Sequence, residues 1–324
     1  MKKRWIVLGV VAIAAAGLFV LNTSLLAHPK GAPTLLAHRG PHQRFNTENL
    51  QNNDCTATRM LAPTHSFLEN TLPSIEEAFR LGADMVEIDI HPTTDGEFVV
   101  FHDWTLECRT NGSGVTRDHS MAEMRGLDVG YGYTADGGQT FPFRGQGVGM
   151  MKSLREVLAA FPDGRFLINF KGSDIYEADL LIEYLEATPN AHIERLAFYG
   201  HQPATRMREL RPTWRSMSLE TAKACAKGYV LAGWIGVVPE ACHNTIVFAP
   251  ANYAWIAWGW PNRFLQRMEA VNTEVYVTGP IPRGQRPGMY GIDDAEDLTL
   301  VPRGWRGGIG TDAIEVIGPL VEPP

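Results

Sequence analysis

Short apolar runs recur along the chain, separated by stretches with helical spacing. Eight of them read as strands: Pro33–His38, Met85–His91, Arg165–Lys171, Arg195–Tyr199, Arg215–Leu219, Thr245–Ala249, Glu274–Thr278 and Gly307–Thr311. Several are too apolar to alternate cleanly, as expected of parallel strands covered on both faces. Asn70-Thr71-Leu72-Pro73 opens a helical run with Ile75, Ala78, Phe79 and Leu81 on one face, closed by Gly82. Ser153 begins another, striped by Leu154, Val157 and Leu158, and Pro261 a third through Phe264, Leu265 and Met268. Strands and helices in alternation predict an α/β fold, a closed (β/α)₈ barrel with a doubly wound sheet as the alternative. Two segments are too long for plain connections. Pro41–Leu68 follows the first strand, and Asp128–Met151 is rich in glycine with Tyr131, Tyr133, Phe141 and Phe143. Long loops at the C-terminal ends of barrel strands commonly carry function.

The N-terminus breaks this rhythm. Lys2, Lys3 and Arg4 precede an uncharged stretch, Trp5 to Ala27. A membrane-spanning helix needs about 20 apolar residues and a signal-peptide core roughly 7–15, so the run sits at the anchor end. Ala27 could precede a cleavage site, although Leu25 fits poorly where a small residue is wanted. Both fates stay open, and in either the basic flank sends everything after Pro29 across the membrane. Residues 1–30 therefore read as a signal peptide or anchor and 31–324 as one extracytoplasmic catalytic barrel, expected to be a monomer. The formal charge of −7 offers no basic face for nucleic acid, so any attraction for an anionic ligand must be local. Four cysteines without a CxxC spacing fit an oxidising compartment and allow three pairings.

Chemistry-bearing residues collect at the ends of the apolar runs. In Glu87-Ile88-Asp89 the carboxylates are two apart on a strand and so face one side. Close together they repel unless a cation or proton lies between them, and such oxygen donors suit Mg²⁺ or Ca²⁺. His38-Arg39-Gly40 ends the first strand, and Glu69-Asn70-Thr71 starts the helix after it. Asp95-Gly96 reads as a tight turn before Phe98–Phe101, followed by His102-Asp103. Phosphodiester hydrolysis calls for a cation and a guanidinium or ammonium on the phosphoryl oxygens, with two proton-transfer groups. Those residue types are all present.

The order of these motifs carries a resemblance. HRG, ENT and GADMVEIDIHPTTDGEFVVFHD, followed by LECRTNGSG, are similar to the glycerophosphodiester phosphodiesterase family, with weaker similarity in MKSLREVL, FLINFK and GGIGTD. The resemblance implies a TIM barrel and the hydrolysis of a glycerophosphodiester, or in a related chemistry a sphingomyelinase D-like lyase reaction. It also implies a divalent ion on Glu87, Asp89 and a third carboxylate, His38 and His102 as the acid/base pair, and Arg39 and Lys171 on the phosphate. The substrate would be a small-molecule or lipid phosphodiester, with Glu69 and Asn70 beside it. The chain departs from the family in two respects, the long insertion after HRG and Asn169, which stands where a glutamate is usual. Asn169 can offer an oxygen but no charge, and either Glu69 or Asp174 would have to compensate. A non-catalytic barrel that binds a phosphorylated ligand is the rival the second departure favours.

Two further expectations follow. The long segment after HRG contains Cys55, and Cys108 lies just past His102-Asp103, which places both on one barrel face. This favours Cys55–Cys108 with Cys225–Cys242 over the other two pairings. Aromatic residues from Tyr253 to Trp260 precede the Pro261-led helix; they read as packing, or else Trp258 and Trp260 meet a choline-like head group or an acyl chain at the mouth. Asp312 reads as a cap or turn residue.

Overall fold

A computed structural model describes residues 2–51, 54–189, 191–283 and 290–321. Its strands are β1 (Thr34–His38), β2 (Met85–Pro92), β3 (Phe98–Val100), β4 (Phe166–Phe170), β5 (Leu196–Gly200), β6 (Arg215–Ser218), β7 (Ile246–Pro250), β8 (Glu274–Thr278) and β9 (Gly308–Thr311). All except β3 run parallel in the order β6-β5-β4-β2-β1-β9-β8-β7, a nearly closed eight-stranded barrel. β3 folds back antiparallel on the end of β2, an addition to the eight expected strands, reached through the Asp95-Gly96 turn.

The helices are α1 (Lys2–Asn22), α2 (Leu72–Arg80), α3 (Met121–Met124), α4 (Leu154–Ala160), α5 (Glu177–Glu186), α6 (Gln202–Leu210), α7 (Leu219–Ala232), α8 (Asn262–Glu269) and α9 (Ile314–Ile317). Their caps are where the sequence places them. The Thr71 hydroxyl accepts the Ser74 N–H ahead of α2, and Ser153 makes a reciprocal capping box with Glu156 ahead of α4.

Alternation along the strands sorts the barrel into layers. Leu36, Met85, Leu167, Ala197, Ile246 and Tyr276 fill its interior. Their neighbours Leu35, Ala37, Val86, Ile88 and Ile168 point outward into the core shared with the helices. Residues two or four positions further along the inward rows are polar: His38, Glu87 and Asn169 at two, Asp89 at four. The two long segments build a second, smaller core. Ala57, Met60 and Leu68 from the first pack with Val129, Tyr133, Phe143 and Met151 from the second, beneath Val99 and Phe101. Both expected disulfides are present, Cys55–Cys108 tying this layer to the loop after β3 and Cys225–Cys242 tying α7 to the segment before β7.

By length and composition α1 is a helix able to cross a membrane, and its apolar side chains are exposed. Its end is docked on the barrel. Arg267 donates to Leu21 O at 3.0 Å, Asn22 donates to Trp234 O at 2.7 Å, and the Ser24 hydroxyl donates to Gly259 O at 2.7 Å. The helix thus stops before the uncharged run does, and Ala27 is buried against the barrel domain.

Candidate active site

Two left-handed residues shape the rim of the pocket. Arg39 (φ +64°) and Asn70 (φ +60°) adopt a conformation that costs most side chains about 1 kcal/mol or more, and both face Asp89. Between Arg39 and α2, Gly40 (φ +71°) passes so close to Ser74 that a Cβ there would lie 2.3 Å from its hydroxyl and 2.8 Å from its carbonyl oxygen. Gly40→Ala is expected to destabilise the fold by roughly 2–4 kcal/mol, from the backbone conformation and the overpacking together. A melting temperature within a degree of wild type would show that the turn is more pliable than its geometry indicates.

His38 ends β1 with Nδ1 donating to Asp312 Oδ1 at 2.6 Å, while Arg39 Nε donates to its Nε2 at 3.2 Å. Glu87 Oε2 lies 3.7 Å from the same Nε2. His102 is held in the same manner, Nδ1 to Asp103 Oδ1 at 2.7 Å. Each imidazole therefore has Nδ1 fixed by a carboxylate, and Nε2 of His38 meets Arg39 and Glu87. Their environments differ. Burial and Arg39 press on the His38 pKa, but Glu87 and Asp312 outweigh them and it rises. Burial, reinforced by Arg39, takes His102 down to about 4.

Glu87 and Asp89 are fully buried, side by side on β2. Tyr199 donates to Glu87 Oε1 at 2.5 Å, whereas Glu87 Oε2 has no hydrogen-bond partner among the described residues. Burial and the neighbouring Asp89 raise the Glu87 pKa. Asp89 is surrounded by donors: Asn70 Nδ2 at 2.9 Å, Asn169 Nδ2 at 2.8 Å, Arg39 Nε at 3.3 Å and Lys171 Nζ at 3.4 Å. Burial alone would raise its pKa, yet Lys171 and Arg39 hold it well below the carboxylate range.

These contacts test the ligand set expected for a divalent ion. The orphaned, buried Glu87 Oε2 is an oxygen in want of a cation. Asn169 reaches Asp89 from the facing strand position, and turning its amide about the last bond would bring Oδ1 to that place. Glu87, Asp89 and Asn169 thus form a set that fits a hard ion, with two formal charges. Of the two carboxylates considered as a replacement for the missing third, Glu69 is committed elsewhere and Asp174 is exposed in the loop after β4. Glu69 is engaged by Arg39 at 3.0 Å and Arg109 at 3.1 Å, and Asp174 accepts the Tyr176 N–H.

Glu69 and Asn70, expected beside the substrate, instead turn inward. Both are buried, with their side chains committed to the two arginines and to Asp89. They position Arg39 and Asp89. Four residues in the site carried no signal as positioning groups in the sequence. Asp312 was read as a cap or turn residue, whereas it orients His38, and Asp103 does the same for His102. Tyr199 anchors Glu87. Arg109 is almost fully buried and bridges Glu69 to Asp103 while donating to the Tyr133 and Thr56 hydroxyls. Its place inside LECRTNGSG was the one available clue. Of the two tryptophans expected at the mouth, Trp260 lines a cleft leading away from Lys171, while Trp258 turns to a second groove beside α1.

The glycerophosphoryl diester phosphodiesterase family model matches residues 38–271, more than half of the chain. The chain belongs to that family. A glycerophosphodiester phosphodiesterase of Caldanaerobacter subterraneus is 36% identical over 103 residues, which is 32% of this chain and 39% of that protein. The matched region thus spans under half the length of this curated relative. Among solved structures, a glycerophosphoryl diester phosphodiesterase domain from Mycobacterium tuberculosis superposes with a TM-score of 0.60 at 14% identity, covering 90% of this chain and 99% of that one. An Oleispira antarctica phosphodiesterase, solved with its product sn-glycerol-3-phosphate, gives 0.53 at 19% identity, covering 89% and 97%. At such identities the structural neighbours establish the TIM barrel.

Proposed function

We propose that this chain hydrolyses glycerophosphodiesters to glycerol 3-phosphate and an alcohol. The observation that carries the reading is the pair of carboxylate-backed histidines, His38–Asp312 and His102–Asp103, on either side of Arg39, Lys171 and the buried Glu87–Asp89 pair. The named activity of the curated relatives and the product seen in the Oleispira enzyme support it.

One histidine takes the proton of the attacking hydroxyl, either water or the neighbouring glycerol hydroxyl, and the other returns a proton to the leaving oxygen. Asp312 and Asp103 keep each ring in the tautomer this exchange needs. Arg39 and Lys171 stabilise charge as it builds on the non-bridging phosphoryl oxygens. A divalent ion, Mg²⁺ or Ca²⁺, held by Glu87, Asp89 and Asn169, would add Lewis-acid polarisation of the same oxygens. The apolar α1 and the two disulfides support an extracytoplasmic enzyme attached to, or exported through, a membrane.

Phosphorus NMR of glycerophosphocholine digests tests the reaction. Glycerol 3-phosphate is the expected product. A cyclic phosphate would replace hydrolysis by a lyase reaction, and unchanged substrate in the presence of Mg²⁺ or Ca²⁺ would leave only a binding barrel.

Calorimetric titration of Mg²⁺ and Ca²⁺ tests the ligand set. Asn169→Glu adds a charge and is expected to tighten binding, whereas Asn169→Leu removes the oxygen and is expected to weaken it. Equal affinities in wild type and both variants would remove Asn169 from the set.

A further inference from the structure

The barrel wall is incomplete between β6 and β7. Ser216 N–H donates to Asn244 O at 3.1 Å and the Thr245 hydroxyl to Ser216 O at 2.8 Å, while no ladder joins the two strands above them. α7 lies across this gap and presents small residues to it, Ala222, Cys225 and Ala226. A cleft of about 590 Å³ occupies the space, within the roughly 300–1,000 Å³ of ligand pockets. At its inner end stand Asn169, Lys171 and Tyr199. From there outward its lining is predominantly apolar, running over Phe248 and between Ala226 and Val230 of α7 on one side and Ile256 and Trp260 on the other.

We propose that this cleft receives the single acyl or alkyl chain of an amphipathic phosphodiester whose phosphate sits at Lys171. The inference rests on the phosphodiesterase reading above and narrows its substrate class to monoacyl glycerophosphodiesters. A deacylated glycerophosphodiester is polar throughout and has nothing to place against Phe248, Val230 and Ile256. A chain on the glycerol moiety would leave the phosphate among the charged groups and put its methylenes along the apolar walls. For an acylglycerophosphocholine the balanced step adds the oxygen of water to phosphorus, breaks the bond to the choline oxygen and passes a proton to that oxygen, giving acylglycerol phosphate and choline.

The outer end of the cleft meets the place where such a lipid would arrive. Trp258 Nε1 donates to the Val230 carbonyl at 2.9 Å, and Trp258 and Trp234 share a groove with Leu18 and Phe19 of α1. Leu231, Trp234, Ile235, Trp255 and Trp258 are exposed around it. Tryptophans beside the end of a helix long enough to span a bilayer suit the lipid–water boundary. The Cys225–Cys242 bond fixes α7, hence one wall of the cleft, against the segment leading into β7.

The test is kcat/KM of the full-length protein in nanodiscs for glycerophosphocholine and for acylglycerophosphocholines of increasing, still monomeric, chain length. It is expected to rise by up to about fourfold per methylene, the factor for removing a CH₂ from water, and then to level off when the cleft is filled. Ala226→Trp and, from the opposite wall, Ile256→Trp are each expected to lower the ratio of long-chain to glycerophosphocholine kcat/KM tenfold or more. A separate effect of lipid partitioning into the disc would survive both substitutions unchanged and would overturn the assignment. A flat chain-length profile with glycerophosphocholine turned over would also overturn it and leave the phosphodiesterase reading standing. If no diester is hydrolysed, that reading falls, and calorimetric binding of an octanoyl glycerophosphocholine decides the cleft. Binding weakened by Ala226→Trp upholds it, and no binding ends it.

Discussion

Replacing His38 or His102 with alanine is expected to lower kcat on glycerophosphocholine by roughly 10²–10⁴-fold, the usual contribution of a positioned acid or base. Each ring is fixed at Nδ1 by an aspartate, so the lost group is a preorganised one rather than a mobile side chain. The two act in one proton cycle. Once either is gone, the other can no longer complete the exchange, so the double variant is expected to lose far less than the product of the single losses. Because both histidines are partly exposed at the pocket floor, truncation should leave the melting temperature close to wild type. Turnover within a factor of a few of wild type in either single variant would remove that histidine from the mechanism. Multiplicative losses in the double variant would mean that the two serve separate steps.

Arg109 should give the largest effect on stability. Its guanidinium is buried and forks between Glu69 and Asp103, and both carboxylates are themselves largely buried. Burial would raise the Glu69 pKa, yet Arg109 and Arg39 drive it well below the carboxylate range. Arg109→Met keeps much of the volume but takes from two largely buried carboxylates the cation they share, and breaking a buried pair in this way costs roughly 3–5 kcal/mol. Arg109→Lys keeps the charge without the planar fork and should fall between that variant and wild type. Urea denaturation monitored by tryptophan fluorescence measures both. Activity should also fall, because Asp103 would no longer hold His102 and Glu69 would no longer align Arg39. A loss below about 1 kcal/mol for Arg109→Met would show that the carboxylates find protons or water at little cost.

What the sequence could disclose follows from the range of the interactions involved. Glu87 and Asp89 were readable because a strand repeats every two residues, and that local rule alone sends both to the same face. The strands themselves, the caps at Thr71 and Ser153 and the turn at Asp95-Gly96 are local in the same sense. Most partners of the proposed proton-transfer and ligand groups are not, Asp103 beside His102 being the exception. Asp312 meets His38 across 274 positions, Tyr199 meets Glu87 across 112 and Arg109 meets Glu69 across 40. No periodicity spans such distances. Glu69 and Asn70 were expected beside the substrate, but their inward commitment depends on Arg109 and on the left-handed turn at Asn70. The opening between β6 and β7 was invisible for a related reason. β6 reads as an ordinary strand, and only the missing ladder to β7 makes it a border.

The bond between Cys55 and Cys108 closes a covalent ring through the protein, and that ring encloses Glu69, Asn70, Glu87, Asp89 and His102. A protease that cuts an exposed turn within it, such as the one at Asp95-Gly96, cannot release either fragment, because the two remain joined through sulfur. The nicked chain would run as one species without reductant and as two with it. Glu87, Asp89 and His102 would stay tethered to the strands that present His38 and Lys171. For a chain exported as proposed above, such a ring keeps a cut molecule in one covalent piece.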